Sequence, residues 1–135
     1  MKETILLFGF DEERRKKLAR SLVTLRMRVK VIEKKEFGQP IGYLAGVKEV
    51  LSVDENTEKE VLLVDENAEK EILEGEMLVM AGLSSARVDQ VLGAIRKSGV
   101  GPIPYKAVLT DTNQYWKAAE LLAELKREHE KMSER

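Results

Sequence analysis

The chain has no cysteine, three prolines, one tryptophan and one histidine in 135 residues. Without cysteine there is no disulfide framework, no thiolate metal site and no cysteine nucleophile. Its absence also suits a reducing compartment. A lone histidine cannot supply a multi-histidine metal site, and no spacing pairs it with a serine. No apolar run approaches the length that crosses a bilayer. The first residues, MKETILLFGFDEERR, pass from a short apolar run straight into charge, without the apolar core and cleavage site of a secretion signal. The expected setting is the cytoplasm, away from membranes.

What is there is apolar material and unevenly placed charge. At 43% hydrophobic, the chain can build a core without metal or disulfides, and its length suits one α/β domain over 1–135. The net charge of −1 conceals three blocs. Residues 1–48 carry 12 basic and 6 acidic side chains, a balance of +6; residues 49–76 carry 2 and 11, a balance of −9; residues 77–135 carry 9 and 7, a balance of +2. The basic residues of the first bloc, from Arg14 to Arg28, are interleaved with Glu12 and Glu13 and have no aromatic companions. That argues for a solvated face, or a dock for the acidic bloc, over a nucleic-acid surface.

Apolar ETILLFGF (3–10) and EMLVMAGL (76–83) read as strands buried on both faces. Each ends in a glycine, an apolar residue and a capping residue: Gly9, Phe10, Asp11 and Gly82, Leu83, Ser84. A helix follows each cap, with stripes Leu18, Leu22, Leu25 and Val88, Val91, Leu92, Ile95. RVKVIEK (28–34) alternates like an edge strand, and YKAVLT (105–110) is a fourth strand. The chain thus contains two strand–helix–strand units, about 3–35 and 76–110. A C-terminal helix over 113–131 carries the stripe Ala118, Leu121, Leu122, Leu125, with Thr110 or Thr112 as its cap.

Between the units lies an echo, EVLSVDENTEK followed by EVLLVDENAEK (49–70). Eleven residues make about three helical turns, so a copied block keeps its face. A helix from about Thr57 to Leu73 is the reading adopted, within an acidic connection over 49–74. Two short strands, VLSV and VLLV, are the rival. With some forty residues between the second and third strands, a parallel crossover fits better than a hairpin. The expected fold is a small four-stranded, mainly parallel α/β sheet of order 2-1-3-4 with flanking helices. The alternative is a ferredoxin-like α+β sandwich.

In a parallel sheet the loops after the first and third strands share one rim, where ligands gather. Phe10, Asp11 and Ser84 are candidates there, although Asp11 and Ser84 are sufficiently explained as caps. No GxGxxG stands in a phosphate-binding position. Lys106, Thr110, Asn113 and Trp116 form the second group. Trp116 falls about 160° round the expected helix from Ala118, off the leucine stripe, where it could wall a pocket or anchor a partner. His129 lies near the helix end, where a cation suits the dipole.

The C-terminal stretch resembles a bacterial and archaeal family designated domain-of-unknown-function family 3783. The likeness rests on Lys106-Ala107-Val108-Leu109-Thr110, Asn113, Trp116, Leu121-Leu122, Glu124-Leu125 and Glu128-His129. GYLAG (42–46) and the LFGF and MAGL turns are similar too. The resemblance implies no particular activity. It does imply that the echo is scaffold or linker.

Three functions remain in order. The first is a non-catalytic module binding a partner protein or its own copy. The second is a small-molecule or nucleotide sensor using the strand-end cleft near Trp116. The last is an enzyme acting through Asp11, Lys106, Asn113 and His129. No cofactor, metal or catalytic set is expected, and nucleic acid is disfavoured.

Overall fold

The computed structural model describes residues 2–53 and 75–133. The helix expected over 57–73, and most of the echo, lie outside the described residues. The first apolar run forms β1 (Thr4–Phe8), every residue of which is buried. Asp11 caps α1 (Glu12–Val23), its carboxylate accepting the Arg14 N–H at 2.8 Å. Glu12 and Lys16 pair across one turn at 3.0 Å. Next come β2 (Arg28–Ile32), a 3-10 turn at Lys34–Glu36 and the short helix α2 (Ile41–Ala45). The second unit repeats the pattern with β3 (Met77–Ala81), α3 (Ser85–Ser98) and β4 (Tyr105–Val108). Ser84 caps α3 by accepting the Arg87 N–H at 3.3 Å.

The strands form one sheet of order β2-β1-β3-β4, with the two apolar strands in the middle. β1 and β2 are parallel, as are β3 and β4. The central pair is antiparallel, Thr4 facing Ala81 and Phe8 facing Met77. The sheet is therefore mixed, which corrects the mainly parallel expectation. The long connection was the misleading signal. It leaves the end of β2 and returns to the same end of the sheet, so no crossover is required. Much of its described length, including Phe37, Ile41 and Leu44, goes into covering one sheet face.

Side-chain alternation divides the core in two. Ile5, Leu7, Leu78 and Met80 pack beneath α1 and α3 with Leu18, Leu22, Val91 and Ile95. Leu6, Phe8, Met77 and Val79 face α2 and α4 (Ala118–Ser133) with Ala118, Leu121 and Leu122. Helices thus cover both faces.

The two units are related by an approximate two-fold axis. One interval along the chain takes Glu3 to Glu76, Gly9 to Gly82, Asp11 to Ser84 and Arg14 to Arg87. The same interval takes Leu6 to Val79, which face one another at the centre of the antiparallel pair. Each arginine reaches across to the opposite unit. Arg87 grips Glu3 with two hydrogen bonds, at 2.8 and 3.0 Å, and also donates to the Leu25 carbonyl. Arg14 binds Glu76 and the Val100 carbonyl. The pair of clasps closes the two units on each other. The bonds from Arg87 hold the Glu3 carboxyl below its ordinary pKa, partial burial opposing them, and Glu3 in turn raises Arg87.

Candidate functional site: the two sheet edges

Antiparallel packing of β1 against β3 separates the residues expected to share a rim. Phe10 and Asp11 follow β1 at one end of the sheet, and Ser84 follows β3 at the other. A five-residue strand of about 17 Å lies between these ends. Asp11 and Ser84 serve as caps, and Phe10 packs against the core beneath α1 and α3. No shared strand-end cleft forms.

Thr110 and Asn113 do come together, and they satisfy each other. Asn113 Oδ1 accepts the Thr110 N–H at 2.8 Å, and Thr110 Oγ1 accepts the Asn113 N–H at 3.0 Å. Asn113 Nδ2 donates to the Val108 carbonyl at 3.0 Å, and only 8% of the residue is exposed. The last helix starts at Ala118, later than the expected residue 113. Residues Asn113–Tyr115 form a 3-10 turn, and neither Thr110 nor Thr112 caps α4. Trp116 is therefore extended backbone before the helix, and its angular position on a helix has no meaning. Its carbonyl accepts the Ile41 N–H at 2.8 Å, while its ring, partly buried, packs on the core. Lys106 donates to the Ile103 carbonyl at 2.9 Å, beside a shallow depression of about 470 Å³ that Leu92 and Pro102 also line. The ring of His129 meets Tyr105 edge-on, with centroids 5.8 Å apart, at the opposite end of the sheet from Ser84. Among the described residues no group of three or more acidic or histidine side chains could hold a metal ion, and no helix is long and apolar enough to cross a membrane.

What the topology does create is a pair of outer strands with different endings. In a parallel ladder, alternate residues bond the neighbour and the rest point outward. Leu109 donates inward to the Met80 carbonyl at 2.8 Å, so Val108 faces out. Its carbonyl is then taken by Asn113 Nδ2, which leaves the Val108 N–H and the main chain of Lys106 as the outward groups of β4. On the other side, Arg28 donates inward to the Glu3 carbonyl at 3.1 Å, so Val29 and Val31 face out. No hydrogen bond from the described residues reaches the main chain of Val29 or Val31. Val31 is 40% exposed. The alternation in RVKVI identified an edge strand. It could not say which main-chain groups stay open, because that depends on the register with β1.

The layered α/β fold with a mixed sheet built from two crossed strand–helix–strand units defines the class. Residues 76–132 match the family model described as Domain of unknown function (DUF3783). The matched span opens at Glu76, the residue held by Arg14, and takes in β3, α3, β4 and nearly all of α4. It stops short of GYLAG and LFGF. Searches of curated proteins and of solved structures give no match.

Proposed function

We propose that the protein is a non-catalytic protein-interaction module that takes its partner as an added strand on β2. The observation that carries this reading is the outward-facing main chain of Val29 and Val31, which no hydrogen bond from the described residues reaches, whereas on β4 the Val108 carbonyl is taken by Asn113. An exposed strand edge offers donors and acceptors at fixed spacing, which is what strand addition uses. The polar residues that could have done chemistry support the same reading. Asp11, Ser84, Thr110 and Asn113 are engaged in caps and turns, and they lie at two ends of the sheet. A sensor that drew on both strand ends would find Phe10 and Asp11 at one end of the sheet and Ser84 at the other. A cytoplasmic setting belongs to this proposal, since a chain without cysteine loses nothing under reducing conditions.

The test is capture of partners by the tagged full chain, beside a Val31→Pro variant. Proline is tolerated in an edge strand whose N–H faces away from the sheet, so the variant should fold and lose only the docking donor. The expected result is a partner held by the parent chain and lost by Val31→Pro with an unchanged circular dichroism spectrum. A partner retained by the variant would overturn the β2 edge. So would a metabolite or nucleotide that raises the melting temperature of the parent chain but not of Trp116→Ala.

A further inference from the structure

The chemistry of β2 identifies the strand it would accept, given the reading of β2 as a docking edge. Its side chains alternate between the two faces of the sheet. Ile32 joins the core beneath α2 and α4, and Val29 packs with the core beneath α1 and α3. Arg28 and Lys30 therefore share the face of Ile32, and Val31 shares the face of Val29. Arg28 and Lys30 are both exposed. No carboxylate among the described residues forms an ion pair with either. Lys30 spends one donor on the Leu44 carbonyl at 3.0 Å and has two more. Glu33, the acid nearest in sequence, pairs with Lys35 at 3.1 Å. Arg26, exposed in the turn that enters the strand, adds positive charge at its start. Among the described residues the edge thus offers two cations without an ion-pair partner on one face and two valines on the other, beside a main chain that no hydrogen bond reaches.

A second copy of this edge fits poorly. Pairing β2 with itself would bring the Arg28 and Lys30 cations of both copies together, and like charges on paired strands repel. We infer that the β2 edge binds an extended acidic segment of a partner protein as a fifth strand. Aspartate or glutamate at alternate positions lies beside Arg28 and Lys30, with β-branched or other apolar residues beside Val29 and Val31. The complementary segment matches the five residues of β2.

The experiment uses the full chain labelled with nitrogen-15 and titrated with a peptide of alternating glutamate and valine. A second peptide carries lysine in place of glutamate. The amide signals of Val29 and Val31 should move and saturate with the acidic peptide. The basic peptide should bind about tenfold more weakly, the swing expected when two cross-strand pairs change from attraction to repulsion. Arg28→Glu with Lys30→Glu should reverse that preference, and Val31→Pro should weaken both peptides. Equal movement with both peptides would overturn the acidic partner while leaving β2 an open edge. No movement with either would overturn both. Movement that follows protein concentration alone would assign the edge to a second copy. Binding that appears only when the acidic residues between 54 and 70 are replaced by their amides would assign it to the chain's own acidic stretch. Either of those outcomes overturns the partner protein.

Discussion

Asp11 and Ser84 do the same work at opposite ends of the sheet. Each receives an N–H from the arginine three residues on, and each of those arginines then crosses to a glutamate of the other unit. The outer strands of the same two units do not match. On β4 the last outward carbonyl, that of Val108, is taken by a buried asparagine, whereas on β2 no hydrogen bond from the described residues reaches the outward main chain of Val29 and Val31. Likeness is kept where the units hold each other, and difference appears where they meet the surroundings. The shared features carry stability, and the difference is what the proposed docking of a partner on β2 rests on.

The largest effect should come where the units touch most closely. Gly9 has φ +75°, and a Cβ there would overlap the Gly75 carbonyl oxygen. Gly99 has φ +78° with open space around it. Gly99→Ala should cost about 1 kcal/mol, from the left-handed backbone alone. Gly9→Ala adds a main-chain collision and should cost about 3 kcal/mol, as measured by urea unfolding. Equal costs would mean that the close approach of β1 to the start of β3 yields without penalty.

Next comes the turn at the end of β4. Asn113→Ala removes one buried acceptor and one buried donor, and should cost about 2 kcal/mol. It should also speed hydrogen exchange in the turn from Thr110 to Asn113. Asn113→Asp keeps the acceptor for Thr110 but sets a buried carboxylate oxygen against the Val108 carbonyl, so at neutral pH it should cost at least as much. An Asp variant clearly more stable than the Ala variant would mean that the bond to Val108 contributes little.

The two caps sharpen the likeness of the units. Asp11→Ala and Ser84→Ala should each cost about 1 kcal/mol. A large disparity between them in thermal unfolding would break the correspondence.

The smallest effect belongs to the clasp between Arg87 and Glu3, both partly open to solvent. Because Arg87 holds the folded Glu3 carboxyl below its unfolded pKa, the clasp contributes fully above the ordinary glutamate range. The contribution fades as pH falls through the lowered folded value. Stability should therefore decline on acidification across that window, and Arg87→Gln should remove this part of the decline. An identical pH profile for parent and variant would count against the clasp.

Much of this was legible along the chain. Unbroken apolar runs placed β1 and β3 in the middle of the sheet, and alternation placed β2 outside. The capping residues announced where α1 and α3 begin, and leucine spacing gave the buried stripes. These are local signals, set by the period of a strand or helix and by the hydrogen bonds a helix start needs. The start of α4 was misread because Thr110 and Asn113 close a turn on each other, which competes with capping and leaves no distinct pattern in sequence.

The direction of β3 relative to β1 was beyond such signals. A strand buried on both faces presents the same apolar run whichever way it points, so both directions bury the same side chains. Only the folded chain decided between them, through the return of the long connection to one end of the sheet and the reciprocal reach of Arg14 and Arg87. That single choice sent Phe10 and Asp11 away from Ser84, and it is why the proposed site is sought along an edge and not at a shared rim.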